Sequence, residues 1–401
     1  MSARLDAEVI VVGAGVVGLA TAYALVERGR RVMVLDKENQ VAAHQSGHNS
    51  GVIHSGLYYR PGSLKAKSCR AGRAALLEFC RHYHVPHEVC GKVVVAVDGH
   101  EKTRLPELEA RGKANGIDCR RLTKEALRSR EPHLAPGAEA LLVEDTGIVD
   151  YVAFAEALRT HIQDRGSNVL LGRALRAAQA TEGRVEVETD GGRLKASRLV
   201  NCAGLHSDRV ARACGAKPEH RIIPFRGEYG VLRPGARQLC RHLIYPVPDP
   251  RFPFLGVHLT RTVTGEVECG PSAVLAFARE GYRFERFDFA DMASTLGHVG
   301  FWRFVGRHWR TGLVEMARSL YFPRFVSALR RLVPELSVED VVPAPAGVRA
   351  QAMTQRGELV DDFAFSESQA MLHVVNAPSP AATASLAIGS MVADRLQTVG
   401  A

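Results

Sequence analysis

The run Val9-Ile-Val-Val-Gly13-Ala-Gly15-Val-Val-Gly18, followed by Val32-Met-Val-Leu-Asp36, constrains this chain more than any other segment. The β-branched run reads as a buried strand and the three spaced glycines as a turn. The alanine-rich continuation to Val26 reads as a helix, and the second apolar run as another strand. A dinucleotide needs that order. Gly13 permits the tight turn, Gly15 lets backbone approach a pyrophosphate, and Gly18 lets the helix pack on the sheet. Val16 and Val17 open the helix, whose unpaired N–H groups and positive dipole end suit phosphates. Asp36 stands 18 residues beyond Gly18, where a carboxylate can accept ribose hydroxyls, with Lys37 beside it.

The same segment admits a rival reading. Val9 to Val26 is 18 residues without a charge, near the length of a membrane span. Its internal glycines and β-branched start favour a strand and a helix instead. No basic stretch precedes it, so no signal peptide is expected.

With 401 residues, 46% of them hydrophobic, the chain has material for two joined, well-packed domains. The eight cysteines show no CxxC and no metal-ligand spacing, which predicts reduced thiols, a reducing compartment and no metal site. The net charge of +9 points to an acidic small substrate or an anionic membrane surface. Nucleic acid is not expected as a partner, because no Lys/Arg block or nucleic-acid motif accompanies that charge.

Periodicity predicts helices near 63–83, 101–115, 123–130, 151–165, 207–214, 284–331 and 381–398. Strands are predicted near 92–97, 169–172, 184–189 and 198–203, between 221 and 269, and within 341–375. Nucleotide-binding pieces therefore recur at 1–83, 141–215 and 341–401, and 84–140 and 216–340 would form a second, substrate-binding domain. The expected fold is α/β, a Rossmann-type domain interleaved with a mixed-sheet domain. A nicotinamide dehydrogenase completes its binding fold in one block. A fold that returns three times suits a larger flavin dinucleotide held between two domains.

Six stretches carry a family resemblance: HQSGHNSGVIHSGLYYRPGSLKA (44–66), RLVNCAGLHSD (198–208), IPFRGEYG (223–230), YPVPDPRFPFLGVHLTR (245–261), APAGVRAQ (344–351) and NAPSPAATASLAIG (376–389). The chain resembles the D-amino-acid-oxidase-type FAD oxidoreductases over essentially its whole length, and within them the branch that oxidises L-2-hydroxyglutarate. The resemblance implies a glutathione-reductase-like FAD-binding domain, FAD as cofactor and a small dicarboxylate as substrate. Asp36 departs slightly from the pattern, since many relatives carry Glu there; either acid can accept ribose hydroxyls.

Ser46, Asn49 and Ser50 offer polar groups to a pyrophosphate, and Gly51 and Val52 continue toward the flavin. Ala203 and Gly204 would approach the dinucleotide from the second strand, and Leu175 would touch adenine through its backbone. Ser379, Pro380, Ala381, Ala382 and Thr383 would aim helix N–H groups at the flavin, stabilising an anionic reduced ring. Oxidising a 2-hydroxy acid requires a base for the hydroxyl proton, and an imidazole suits that task. His54 is the candidate, in a context that resembles FAD-dependent glycerol-3-phosphate dehydrogenases; His258 is its rival. Arg349 aligns with the family arginine that grips the substrate carboxylate through a planar fork. A diacid needs a second cation, for which Arg60, Lys65, Lys67 and Arg226 are candidates. Tyr58 and Tyr59 could add hydroxyl donors.

The aromatic, basic stretch 284–331 holds both tryptophans. It reads either as a cover for the second domain or as an interfacial helix on the cytoplasmic face of the inner membrane. The interfacial reading implies a quinone acceptor, and the other implies oxygen or a soluble acceptor. Another 2-hydroxy acid, glycerol 3-phosphate or an amino acid would use the same machinery, and a non-catalytic flavin-binding subunit is the remaining class.

Overall fold

A computed structural model describes residues 5–181, 183–249, 255–368 and 370–398. Residues 250–254 of the 245–261 stretch lie outside the described residues. Strand Ala7–Val12 lies between Gly192–Asn201 and Val32–Leu35, parallel to both. It is buried on both faces. Val9 and Val11 enter one apolar cluster, and Ala7, Ile10 and Val12 enter another. A strand covered on both sides reads as a continuous apolar run, which is why Val9–Val12 lacks alternation.

The helix Val16–Val26 follows at once and shares its cluster with the last helix, Ser385–Thr398, through Leu19, Ala20, Ile388 and Val392. Burying each large aliphatic side chain there contributes roughly 1.5–3 kcal/mol. The uncharged 9–26 run is thus one strand and one helix. No helix among the described residues is long and apolar enough to cross a membrane.

Two large sheets dominate. The first runs in the order Leu175–Thr181, Arg184–Thr189, Gly192–Asn201, Ala7–Val12, Val32–Leu35, Asn168–Leu170. It forks at Gly192–Asn201, whose first half pairs antiparallel with Arg184–Thr189 and whose end pairs parallel with Met371–Asn376. The second sheet contains Lys92–Ala96 between Leu243–Pro246 and Glu139–Val143, and its longest strands are Arg221–Leu232 and Val341–Met353.

Four expectations change here. Val341–Met353, read from sequence with the nucleotide-binding pieces, is hydrogen-bonded along Arg221–Leu232 and belongs to the second sheet. Strand Glu139–Val143, which straddles the expected boundary at 141, also belongs there. The stretch 284–331 is three helices, Phe289–Leu296, Val299–Leu320 and Phe322–Arg330, not one. Pro323 in the first turn of the last cannot donate its backbone bond, so the preceding helix stops at Leu320. The closing helix starts at Ser385, later than the expected 381, because residues 378–384 form tight turns in which Ala381 N donates to Pro378 O.

A buried ion pair joins the two sheets. Asp208, in the helix Ser207–Ala213 that follows the first sheet's central strand, grips Arg279, from the loop before Phe289–Leu296. Both side chains are 2% exposed or less. Arg279 Nη1 also donates to Leu205 O at 2.6 Å, and its backbone N donates to Asp291 Oδ2 at 2.6 Å. Burial works against the ionised carboxylate of Asp208. The hydrogen bond and charge of Arg279, joined by Arg212, overcome it and hold the carboxyl below its ordinary range.

Asp208→Ala removes the two-oxygen partner of a buried guanidinium and leaves it only the Asp291 carboxylate at 3.9 Å; it should destabilise the protein by about 3 kcal/mol, measured by denaturant melts. Because the folded pKa is the lower one, the stabilisation is present above the unfolded carboxyl's value of about 3.9 and is lost as pH falls through the folded value. The wild-type and variant melting curves should therefore converge in strong acid.

Candidate active site

A cavity of about 1040 Å³ opens where the parallel strands of the first sheet end against the second sheet. At one end Gly13 turns with φ +112°, and a Cβ there would lie 2.5 Å from the Cys202 carbonyl oxygen. A Cβ on Gly18 would lie 1.9 Å from Gly13 O, so Gly18 serves helix–turn contact, not the cavity wall. Gly15 is the N-cap of Val16–Val26 and provides no side-chain cap; Val16 N donates to Ser46 Oγ at 3.0 Å. Asp36 Oδ2 accepts from Ala14 N at 2.6 Å, and its Oδ1 accepts from Glu38 N at 2.9 Å. Gly15, Val16, Val17, Asp36, Leu175, Ala203 and Gly204 share this end of the cavity.

These features meet the demands of a dinucleotide. Backbone can come close, the helix N-terminus is not capped from its own N-cap residue, and an oriented carboxylate faces the space. The cavity is long enough to continue between the two sheets.

The loop 44–52 lies along the cavity, with corrected roles. Asn49 lines the cavity while its side chain braces the loop: Nδ2 donates to Gln45 O and Ser46 O, and Oδ1 accepts from Gly51 N. Gly51 turns against the Val149 carbonyl and does not line the cavity. Ser46, Asn49, Ser50 and Val52 do line it. Lys37 reaches across to Glu280 Oε1 at 2.7 Å and also bonds Glu38. Glu38, His44 and Glu280 converge within 4.8 Å, a cluster that sequence spacing did not show. The Lys37 ammonium sits among them, and hydrogen bonds from His206 and Lys37 hold the Glu280 carboxyl far below its usual range. The cluster clamps the two sheets together.

The other end of the cavity holds His54, His258, Arg349, Tyr58, Tyr59, Arg60 and Lys65. Five of them come from the single segment 54–65; the fold brings His258 and Arg349 to it from distant strands. His54 is fixed by its backbone N, which donates to Thr383 Oγ1 at 3.0 Å, and Thr383 in turn contacts Tyr151 at 3.1 Å. Thr383 therefore anchors His54 from outside the cavity, whereas Ser379, Pro380, Ala381 and Ala382 line it. Ser379 Oγ lies 3.4 Å from His54 Nε2 and also bonds the Tyr59 side chain.

Burial, then the charges of Lys92, His258, Lys65 and Arg349, pushes His54 down to about 3. Burial, with Arg349 and Lys92, pushes His258 down to about 3 as well. Both rings are neutral near pH 7. His258 Nδ1 lies 3.0 Å from the Gly256 carbonyl, so it carries the proton and leaves Nε2 as an acceptor. Its ring stacks on Tyr245 with centroids 4.0 Å apart. Arg349, opposite Phe225 in the long strand pair, is hydrogen-bonded by Tyr229. Gln45 Oε1 accepts from Ala350 N at 2.8 Å and ties the cofactor-side loop to that strand.

Not every candidate cation is at hand. Arg226 is buried in a separate cavity of about 410 Å³, ion-paired with Glu228 and stacked on Phe284. Its strand alternation turns it away from the main site, which Gly227 and Tyr229 line instead. Lys67 is also absent from the cavity lining. Lys65 is present but paired with Asp361 at 2.9 Å, and Arg60 is exposed. Sequence reading missed Tyr229, Tyr245 and Lys92. The only signal for Lys92 was a lysine heading the apolar run Lys92-Val-Val-Val-Ala.

A profile of FAD dependent oxidoreductases (DAO) matches residues 8–395. The chain is 45% identical over 394 residues to the L-2-hydroxyglutarate dehydrogenase of Indibacter alkaliphilus, covering 97% of this chain and 98% of that one. It is 41% identical over 410 residues to the mitochondrial L-2-hydroxyglutarate dehydrogenase of Homo sapiens, covering 97% and 88%. Among solved structures, the FAD-bound L-alpha-glycerophosphate oxidase of Mycoplasma pneumoniae superposes with a TM-score of 0.79 at 23% identity, covering 98% and 94%, and shares the fold. The groove geometry and these matches agree: the chain belongs to the DAO family of FAD-dependent oxidoreductases.

Proposed function

We propose that this enzyme oxidises L-2-hydroxyglutarate to 2-oxoglutarate. One observation carries the reading. Two neutral imidazoles and an arginine fork share the end of a dinucleotide groove, in a cavity with more cations than carboxylates. Relatives 40–45% identical, named L-2-hydroxyglutarate dehydrogenases, support it. FAD, when bound, supplies the hydride acceptor.

Arg349 binds the carboxylate next to the reacting carbon through two parallel N–H···O bonds, held in place by Tyr229. That fixes which face of the carbon meets the cofactor. His54 accepts the hydroxyl proton as the C–H electron pair leaves and the C=O bond forms. Its low pKa keeps the lone pair free before substrate arrives. His258 holds the facing wall with its bare Nε2. Tyr58, Tyr59 and Tyr245 exclude water from the reacting carbon. The proton on His54 passes to solvent once product leaves.

For the second half-reaction the proposed acceptor is a membrane quinone, reached by peripheral contact with the cytoplasmic face of the inner membrane. Support comes from Val299–Leu320, where among the described residues only Gly300 and Phe301 are buried. Trp302, Trp309, Leu313 and Leu320 are exposed and spaced 7, 4 and 7 residues apart, which puts them on one stripe. Arg303, Arg307 and Arg310 flank that stripe, the pattern of a helix lying in a lipid interface.

His54→Ala should lower kcat by about 10²–10⁴-fold with flavin content unchanged. His258→Ala should cost less, and an equal or larger loss would exchange the two roles. Because His54 titrates far below an ordinary histidine, the acid limb of kcat/KM should lie well under about pH 6.5. Arg349→Lys should lower kcat/KM by about 10²-fold, mostly through KM. In flotation assays the protein should rise with anionic vesicles at low salt, and Trp302→Ala/Trp309→Ala should abolish this. A double variant that still floats would remove the helix from the interface.

A further inference from the structure

Lys92 is the first residue of a central strand in the second sheet, and its side chain is 1% exposed. Its ammonium lies 4.5 Å from the Tyr58 ring centroid and 5.0 Å from that of Tyr245. Both rings line the active cavity, so the charge sits directly behind its wall. Among the described residues no carboxylate pairs with it. The nearby Cys69 thiol cannot serve as counter-ion, because burial pushes it up to about 12 and keeps it neutral. Lys92 acts with Arg349 on both His54 and His258, and Lys65 adds to the field on His54, so the charged side chains that lower both imidazoles are cationic.

The other candidate cations differ. Lys65 has Asp361, Arg226 has Glu228 and a different cavity, and Arg60 stands in solvent. A buried charge without a partner is costly, and burial pulls Lys92 down to about 7. A cost of this kind is relieved when an anion arrives.

We propose that Lys92 is the specificity-determining cation of this site: its unneutralised charge, acting through the Tyr58 and Tyr245 wall, makes the cavity select a substrate with a second carboxylate. The proposal rests on the 2-hydroxy-acid reading above and names which member of that class is preferred. The same charge holds His54 in its base form, so Lys92 is a positioning residue for the proton transfer. Near neutral pH burial leaves part of the Lys92 population neutral; an entering diacid favours the ammonium form, so binding takes up a fraction of a proton.

The test compares wild type, Lys92→Met and Lys92→Arg. Anaerobic flavin reduction is followed with L-2-hydroxyglutarate and with L-2-hydroxypentanoate, the same chain without the distal carboxylate. Binding of 2-oxoglutarate is followed by calorimetry in two buffers of different ionisation heat. The methionine variant should lose about tenfold or more of the diacid-over-monoacid preference. It should bind without proton uptake, move the acid limb upward and melt no lower than wild type, because a costly buried charge is gone. Arginine should restore most of the preference. The proposal is overturned by a methionine variant that keeps the preference, loses both acids equally, or fails to fold. A flavin-loaded wild type that neither acid reduces sinks the substrate reading instead, and Lys92 is then judged on proton uptake alone.

Discussion

Everything about this site depends on a backbone contact. The turn at Gly13 brings the end of strand Ala7–Val12 so close to Cys202 that no side chain fits between them. That contact fixes the helix N-terminus at the mouth of the sheet, with Asp36 held by the turn's own amide at Ala14. The groove that results is a fixed frame. From it the loop 44–54 runs to the second sheet, and His54 reaches the far end of the cavity with its backbone already pinned by Thr383.

The far end is governed by a charge imbalance. Asp208 and Arg279, or Glu280 with Lys37 and His206, are ion-paired sets that hold the two sheets together. Between them lies a cavity where Arg349, with Lys92 behind the wall, sets a positive field on two buried histidines. Desolvation and that positive field keep both imidazoles neutral. On the proposed reading, a small dianion entering this field offsets it, which raises the basicity of an imidazole that the empty site keeps unprotonated.

Local pattern revealed one half of this and hid the other. Gly13, Gly15, Gly18 and Asp36 announce a dinucleotide because their roles depend on short spacings along one chain segment. His54 and Arg349 were found through context, and they meet only because distant strands pair. The assignment of Val341–Met353 failed for the same reason: its partner Arg221–Leu232 is far away in sequence, and apolar alternation carries no record of which strand it joins. Arg226 looked as suitable for the second cation as Arg60, Lys65 or Lys67 in one dimension. A single alternation along the strand turned it into another cavity. Lys92 was overlooked because a lysine at a strand start ordinarily faces water, and only burial shows otherwise.

The most direct test of the account is an anaerobic visible spectrum of the purified, FAD-loaded protein, recorded before and after stoichiometric L-2-hydroxyglutarate. The account predicts that the flavin band at about 450 nm bleaches and that one 2-oxoglutarate appears per flavin reduced. A yellow protein whose band is unmoved by L-2-hydroxyglutarate would contradict it.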